Sequence, residues 1–377
     1  MTQHIPMVNL KDQYVRLKPE IDDAIQEVLD SAHFIKGPVV KSFEENLAKY
    51  LKINHVIACG NGTDALQIAL MSLGLRKGDE VITPSFAYGA TAEVIALLGL
   101  SPIFVDVDSK SFNTTAQLLE AAITSRTKVL MPVHLFGQSA DIESIMKVAK
   151  QHDLFVIEDN AQSIGADLHI QKGDTLKSGT VGHISCTSFF PSKNLGCYGD
   201  GGAICTNDED LAQKIRMIAS HGQAKKYHHD MIGCNSRLDA IQAAVLNVKL
   251  KYLDDFCKAR AEAAQYYTNS LDQLSEVITP QMTKLSSHVF HQYTLQIPDR
   301  KRDALASHLQ ENDIGNAIYY PLPLYKQQAF RTDKNEQLHH PVTEQLCQSV
   351  LSIPIHTELN HDIQDKVIQA IFNFFKT

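Results

Sequence analysis

Lys193 stands in the stretch Ser188-Phe-Phe-Pro-Ser-Lys193-Asn-Leu-Gly-Cys-Tyr-Gly-Asp-Gly-Gly202, after an apolar strand-like run and inside a glycine-rich turn. Desolvation disfavours an ammonium, so a lysine held there becomes a nucleophilic amine near neutral pH, able to form a Schiff base with an aldehyde cofactor. Most loop lysines are simply solvated, and other parts of the chain decide between these readings. Asp159 ends the apolar run Leu154-Phe-Val-Ile-Glu-Asp159 and precedes Asn160-Ala-Gln-Ser163. A carboxylate in that place either caps a turn or pairs with a protonated ring nitrogen and keeps it charged.

A third signal lies upstream. Gly60-Asn-Gly62-Thr-Asp-Ala65 follows a strand-like run and opens an apolar helix, matching the G-x-G-x-x-G/A pattern of dinucleotide binding. That reading needs an acid at the end of the next strand, but Asp79 and Glu80 precede Val81-Ile-Thr83, which runs into Pro84-Ser85-Phe86. What remains is a helix N-terminus, either a phosphate site or a plain structural cap. Phosphate cradle, ring-nitrogen partner and isolated lysine, in that order, are the parts that pyridoxal phosphate requires.

The elements that must position these groups are legible as alternating strand and helix patterns from about residue 55 to 205. The apolar runs His55–Cys59, Glu80–Thr83, Pro102–Asp106, Lys128–Val133, Leu154–Glu158, His183–Thr187 and Gly202–Cys205 predict an α/β domain with a mainly parallel sheet of seven strands. Ligands of such sheets collect at the carboxyl ends of the strands, where Asn61 to Asp64, Ser85 to Tyr88, His134, Asp159 to Gln162 and Ser188 to Lys193 fall. The segment Ser236 to Tyr267 predicts one long helix or two abutting ones. Beyond it come a strand at His291–Ile297, a helix near Arg302 to Asn312, a proline-rich loop from Tyr319 to Tyr325 and a closing helix from Asp362. We read residues 1–250 as a large cofactor-binding domain with an N-terminal helical segment, and 251–377 as a small α+β domain.

Composition excludes several classes. The 377-residue chain is 44% hydrophobic and 21% charged, with no apolar run near the roughly 20 residues that cross a bilayer. Neither a membrane partner nor a secretory signal is expected, and the protein is read as cytoplasmic. A net charge of −8 argues against nucleic acid. The 7 cysteines are scattered without a C-x-x-C pair and read as reduced thiols. His228-His229 and His339-His340 raise a metal site, but adjacent histidines without carboxylate or cysteine partners rarely converge, so no metal is expected.

The segments Gly60–Leu66, Pro84–Thr91, Glu158–Gln162, Ser188–Gly202 and Gly233-Cys-Asn-Ser-Arg237 resemble the DegT/DnrJ/EryC1/StrS family of sugar aminotransferases, and the resemblance covers nearly the whole chain. It implies a type I pyridoxal-phosphate aminotransferase fold and a homodimer whose active sites are shared between subunits. By motif it makes Lys193 the Schiff-base lysine, Asp159 the pyridine-nitrogen partner and Gln162 a neighbour of the ring hydroxyl. Gly62, Thr63 and Ser188 become phosphate ligands, Tyr88 stacks on the ring, and Asn235 is lent by the neighbouring subunit. Some family members carry histidine at the lysine position and dehydrate their sugars; lysine here favours transamination, with L-glutamate as donor.

The stretches Ser188–Gly202, His221–His229 and Tyr320-Pro-Leu-Pro-Leu-Tyr-Lys326 are most similar to enzymes that aminate the 3-keto group of a UDP-linked N-acetylated hexuronic acid, on the route to diamino uronic acids of O-antigen lipopolysaccharide or another surface polysaccharide. Enzymes of dTDP-3-keto-6-deoxyhexoses look similar. Arg237 is the residue to pair with a substrate carboxylate, since a guanidinium fork matches it bidentately, unless it serves a structural ion pair. Tyr320 and His229 are expected at the sugar or its diphosphate, together with Tyr319, which stands where such enzymes often have histidine. A nicotinamide oxidoreductase and a non-catalytic cofactor-binding regulator are the rival classes.

Overall fold

The computed structural model describes residues 4–170, 173–332 and 335–376. Its centre is a seven-stranded sheet in the order His55–Cys59, Gly202–Thr206, Ile184–Ser188, Phe155–Asp159, Thr127–Leu130, Glu80–Pro84, Ser101–Val105. Gly202–Thr206 is antiparallel to both its neighbours and the remaining pairs are parallel. This is the mainly parallel seven-stranded α/β sheet the sequence predicts. Strands buried on both faces carry near-continuous apolar runs, because helices cover each side. Adjacent residues accordingly serve different cores: Val81, Val129 and Ile157 join one cluster, whereas Ile82, Leu130 and Val156 join another on the opposite face.

The helix Gly62–Ser72 lies on the first of these faces, through Leu66, Ile68 and Ala69. On the other face, helices Pro38–Leu51 and Ala240–Leu250 meet the antiparallel strand through Phe43, Leu47, Leu246 and Cys205. The stretch read as one helix or two is two, Ala240–Leu250 and Leu253–Leu271. The N-terminal helix Leu10–Ser31, capped by Asn9, packs Leu17 and Ile21 against Val245 and Val248.

A separate apolar cluster gathers Tyr267, Tyr293, Leu295, Leu305, Leu309, Leu351 and Ile371, and Ile5 from the N-terminal segment joins it. Its sheet is the antiparallel pair Tyr293–Gln296 and Val350–Ile353. Helices Arg302–Glu311 and His361–Lys376 cover that pair. Between the helix Arg302–Glu311 and the second strand, the proline-rich loop crosses back to the large sheet. There Leu324 donates its amide to the Ser85 carbonyl at 2.9 Å, and Asp106 accepts from the Val342 and Thr343 amides at 3.1 and 2.8 Å. These bonds hold Tyr319 and Tyr320 over the carboxyl ends of the strands. Among the described residues no helix is long and apolar enough to cross a membrane.

Candidate active site

Strand ends and one helix start converge on a cleft of ≈ 650 Å³ lined by Gly62, Thr63, Tyr88, Asp159, Gln162, Ser188, Lys193, Tyr319 and Tyr320. Asn61 caps the helix Gly62–Ser72, its side-chain oxygen taking the Asp64 amide at 2.8 Å. The Gly62 and Thr63 amides are left without a partner among the described residues, as the first turn of a helix leaves them. Asp64, whose carboxylate would compete with an anion there, turns aside to the Ser236 hydroxyl at 2.6 Å. Gly62 has to be glycine: a Cβ would lie 2.7 Å from the Ser188 Cβ. That close approach sets the Ser188 hydroxyl beside the free amides, giving three donors for a phosphate.

Asp159 is the last residue of its strand and is only 6% exposed. Its backbone is fixed on both sides, the amide donating to Pro132 and the carbonyl accepting from His134. The carboxylate accepts one bond, from the Ala161 amide at 3.1 Å, and among the described residues no cation stands within ion-pair distance of it. Burial pushes its pKa up, opposed by the Ala161 amide and then by the Lys193 charge. A carboxylate so placed gains most from a cation at its free edge, which restores its ionised form. A protonated ring nitrogen is such a cation.

Lys193 is carried by a tight loop after Ser188. The loop closes with its own amide on the Phe190 carbonyl and the Cys197 amide on the Phe189 carbonyl, both at 2.8 Å. Loss of water pushes the amine down to about 8, against the pull of Asp159. About a tenth of it is therefore free, nucleophilic amine at pH 7. Among the described residues its one hydrogen-bond partner is His291 Nε2 at 3.5 Å. Amide-and-hydroxyl cradle, unpaired buried carboxylate and desolvated amine, all on one cleft, fit pyridoxal phosphate.

Gln162 bridges the two parts of the cleft wall: its side-chain oxygen accepts from the Phe136 amide at 2.7 Å and its nitrogen donates to the Tyr320 hydroxyl at 3.2 Å. Tyr88 is 65% exposed with its ring 6.4 Å from that of Tyr320, free to cover a planar ligand. Asn235, Arg237 and His229 are not brought to this cleft within the chain. Asn235 is exposed, and His229 lies on the exposed hairpin of Gln223–Lys225 and His228–His229, its Nδ1 at 2.8 Å from the His221 carbonyl. Arg237 shares a second cleft with Lys36. The physical reason is the stitching of this segment behind the Gly60 turn: Ser236 accepts from the Gly60 amide at 2.9 Å and its own amide donates to Ala219. The paired histidines go separate ways, His339 to Glu344 and His340 to Ser85, and among the described residues no cluster able to hold a metal is found.

Sequence reasoning missed His291 and Gln292 as cleft residues. His291 had been visible only as the start of a strand-like run, and nothing in its local pattern marks a residue that tertiary packing carries to Lys193.

The sequence profile of the DegT/DnrJ/EryC1/StrS aminotransferase family matches residues 15–372. A pleiotropic regulatory protein of Geobacillus stearothermophilus is 45% identical over 99% of both chains. The UDP-2-acetamido-2-deoxy-3-oxo-D-glucuronate aminotransferase of Pseudomonas aeruginosa is 45% identical over 94% of this chain and 96% of its own. Among solved structures, DesV of S. venezuelae superimposes with a TM-score of 0.94 at 37% identity, covering 99% of each chain.

Proposed function

The chain belongs to the DegT/DnrJ/EryC1/StrS aminotransferase family, and from that membership we propose that it moves the amino group of L-glutamate to the 3-keto group of UDP-2-acetamido-2-deoxy-3-oxo-D-glucuronate. The product would feed a diamino uronic acid of O-antigen or another surface polysaccharide. The single observation that carries the chemistry is the convergence of Lys193, Asp159 and the Gly62–Thr63–Ser188 donors on one cleft.

Pyridoxal 5′-phosphate is the cofactor, and when bound it supplies the electron sink and carries the amino group. The Gly62 and Thr63 amides and the Ser188 hydroxyl would hold its phosphate. Asp159 would hold a proton on the ring nitrogen, Gln162 would stand near the ring hydroxyl, and Tyr88 would cover the ring face and exclude water. The Lys193 amine would anchor the cofactor and, when free, would be the group placed to hold and move the proton of the substrate carbon.

Asn235 and Arg237 enter through a homodimer. Neither side chain has a hydrogen-bond or ion-pair partner among the described residues. They sit beside exposed Phe34 and Ile35, which are tied to this segment by the Phe34 carbonyl to the Ala240 amide at 2.9 Å and the Ile35–Asp239 bridge. Exposed apolar residues around unpaired polar ones suit a self-complementary interface. Across it Asn235 would reach the partner's phosphate site, and Arg237 would meet the substrate carboxylate with two parallel hydrogen bonds.

The test is to bleach the cofactor absorbance of the purified protein with L-glutamate, then add the 3-keto uronate, its C6-hydroxymethyl counterpart, or a dTDP-3-keto-6-deoxyhexose. Return of the band at least about tenfold faster with the uronate supports the assignment. A faster return with either other sugar overturns the uronate, and a band that glutamate never bleaches supports a regulator instead.

A further inference from the structure

His291 is 5% exposed, and its imidazole makes one polar contact, Nε2 to the Lys193 amine at 3.5 Å. Its Nδ1 is buried with no partner among the described residues. The backbone around it is fixed independently of the ring. Arg260, itself buried, donates to the carbonyls of Phe290 at 3.0 Å, His291 at 3.5 Å and Ile355 at 3.0 Å. Asn194, next to Lys193, donates to the Val289 carbonyl at 2.9 Å, which locks the lysine loop to the segment bearing His291. Gly137, at a φ of +122°, lets the chain pass close underneath, where a Cβ would meet the His291 amide at 2.9 Å.

Nothing in this arrangement needs a histidine for shape. A leucine would fill the space without stranding a ring nitrogen, which costs about 1–3 kcal/mol when buried. His288 provides the contrast. Its Nδ1 accepts the Phe290 amide at 3.0 Å and its ring stacks on Phe290 at 3.9 Å, so its ring serves the fold. The polar edge of the His291 ring serves only Lys193.

We propose that His291 is a positioning residue for the reaction: its Nε2 receives the Lys193 amine as a hydrogen-bond acceptor whenever that amine is free, and so keeps it aimed into the cleft until it rejoins the cofactor. This rests on the assignment of Lys193 as the cofactor-binding amine. An ammonium has no acceptor site, so Nε2 facing it must be bare and the ring proton lies on Nδ1. The ring stays neutral because burial, then the Lys193 charge and then Arg260 all oppose its protonation. A neutral acceptor holds the amine without competing for its proton, as a second carboxylate would. The other titratable groups around Lys193 are Asp159, Asp200, Tyr88, Tyr319 and Tyr320 on the cleft and Arg260 behind His291. Asp159 is the one carboxylate among them that shifts the lysine.

The experiment compares His291→Leu, which fills the space without an acceptor, with His291→Gln, whose side-chain oxygen reaches about as far as Nε2. In cofactor-free protein the titration of Lys193 is read from pH-dependent amine labelling by mass spectrometry. In holoenzyme the half-reaction with glutamate is read in a single turnover. The Leu variant is expected to lower the Lys193 midpoint from about 8 by about one pH unit, because an ammonium partner is lost. It should also slow the half-reaction at least about tenfold at saturating glutamate, with cofactor content retained. The Gln variant should restore both to within about threefold. A Leu variant that titrates and turns over like the parent overturns the proposal, as does a folded, cofactor-loaded Gln variant as impaired as Leu. If the parent itself does not react with glutamate, the proposed function falls, while the labelling titration still tests the His291 contact.

Discussion

Lys193 and Lys249 are two lysines that loss of water pushes down to the same value, about 8, on opposite sides of one loop. Lys193 lines the cleft, with a single weak neighbour in His291. Lys249, on the helix Ala240–Leu250, is 1% exposed. It donates to the Gly196 carbonyl at 2.8 Å and lies 4.5 Å from the centre of the Tyr198 ring. The same helix holds the loop a second time through Gln242, which accepts the Tyr198 amide at 2.8 Å. A depressed lysine pKa therefore marks desolvation and not chemistry. What separates the two is access and partners: one amine is nearly unsatisfied beside open space, the other is satisfied and enclosed.

The contrast breaks most visibly at the amine. Lys193→Ala should remove the cofactor absorbance and lower glutamate turnover by at least about a thousandfold, since the proposed anchor and proton carrier would both be lost. Lys249→Met should cost far less activity, and equal losses in a steady-state assay would show that the two lysines are not functionally distinct. Next in size is the partner carboxylate. Asp159→Ala should slow transamination about a hundredfold or more, with cofactor affinity, followed by equilibrium dialysis, changing much less. Parent-like turnover would remove Asp159 from the chemistry.

Smaller effects sharpen the comparison through pH. Labelling of cofactor-free protein with an amine-reactive aldehyde should rise at Lys193 with a midpoint near pH 8 and level off about one to two units higher. Lys249 should stay unlabelled although it loses its proton in the same range. Detection of Lys249 adducts under native conditions would mean that its enclosure opens. For stability, Lys249 gives up its proton near 8 in the folded chain against 10.5 as its ordinary value. The unfolded chain then binds more protons between those values, and the folded state is favoured as pH rises through them. The penalty is fully present below 8 and fades toward 10.5. Lys249→Met escapes it, so the variant should look worse against the parent at pH 9.5 than at pH 7, by roughly 2 kcal/mol. Thermal melts at the two pH values read this out, and an equal difference at both would show that Lys249 keeps its proton.

Much of the fold was legible because its strands are buried on both faces, and their β-branched runs such as Val81-Ile82 and Val156-Ile157 need no tertiary information to be recognised. The phosphate cradle was also legible, since Asn61, Gly62 and Thr63 are a local cap-and-turn pattern whose free amides follow from helix geometry. The break between Ala240–Leu250 and Leu253–Leu271 was legible only as one of two alternatives, because the chain turns at Lys251 and Tyr252 without proline or glycine. The separation of Arg237 from the Lys193 cleft was hidden. It follows from Ser236 bonding to Gly60 and Asp64, residues far away in sequence.

The sequence by itself determined the class of protein: a parallel α/β sheet, a helix start for phosphate, an acid at a strand end and a lysine in a glycine-rich loop, in the chain order of a sugar aminotransferase. These are local properties, written in hydrophobic period and in backbone groups that each element leaves unpaired. Only the tertiary structure decided which side chains share a space. It put His291 beside the Lys193 amine, turned Arg237 to a separate cleft, left the Asp159 carboxylate with one amide donor, and enclosed Lys249 while opening Lys193 to the cleft. Desolvation and hydrogen-bond partnership depend on everything packed around a group, and most of those neighbours come from distant parts of the chain.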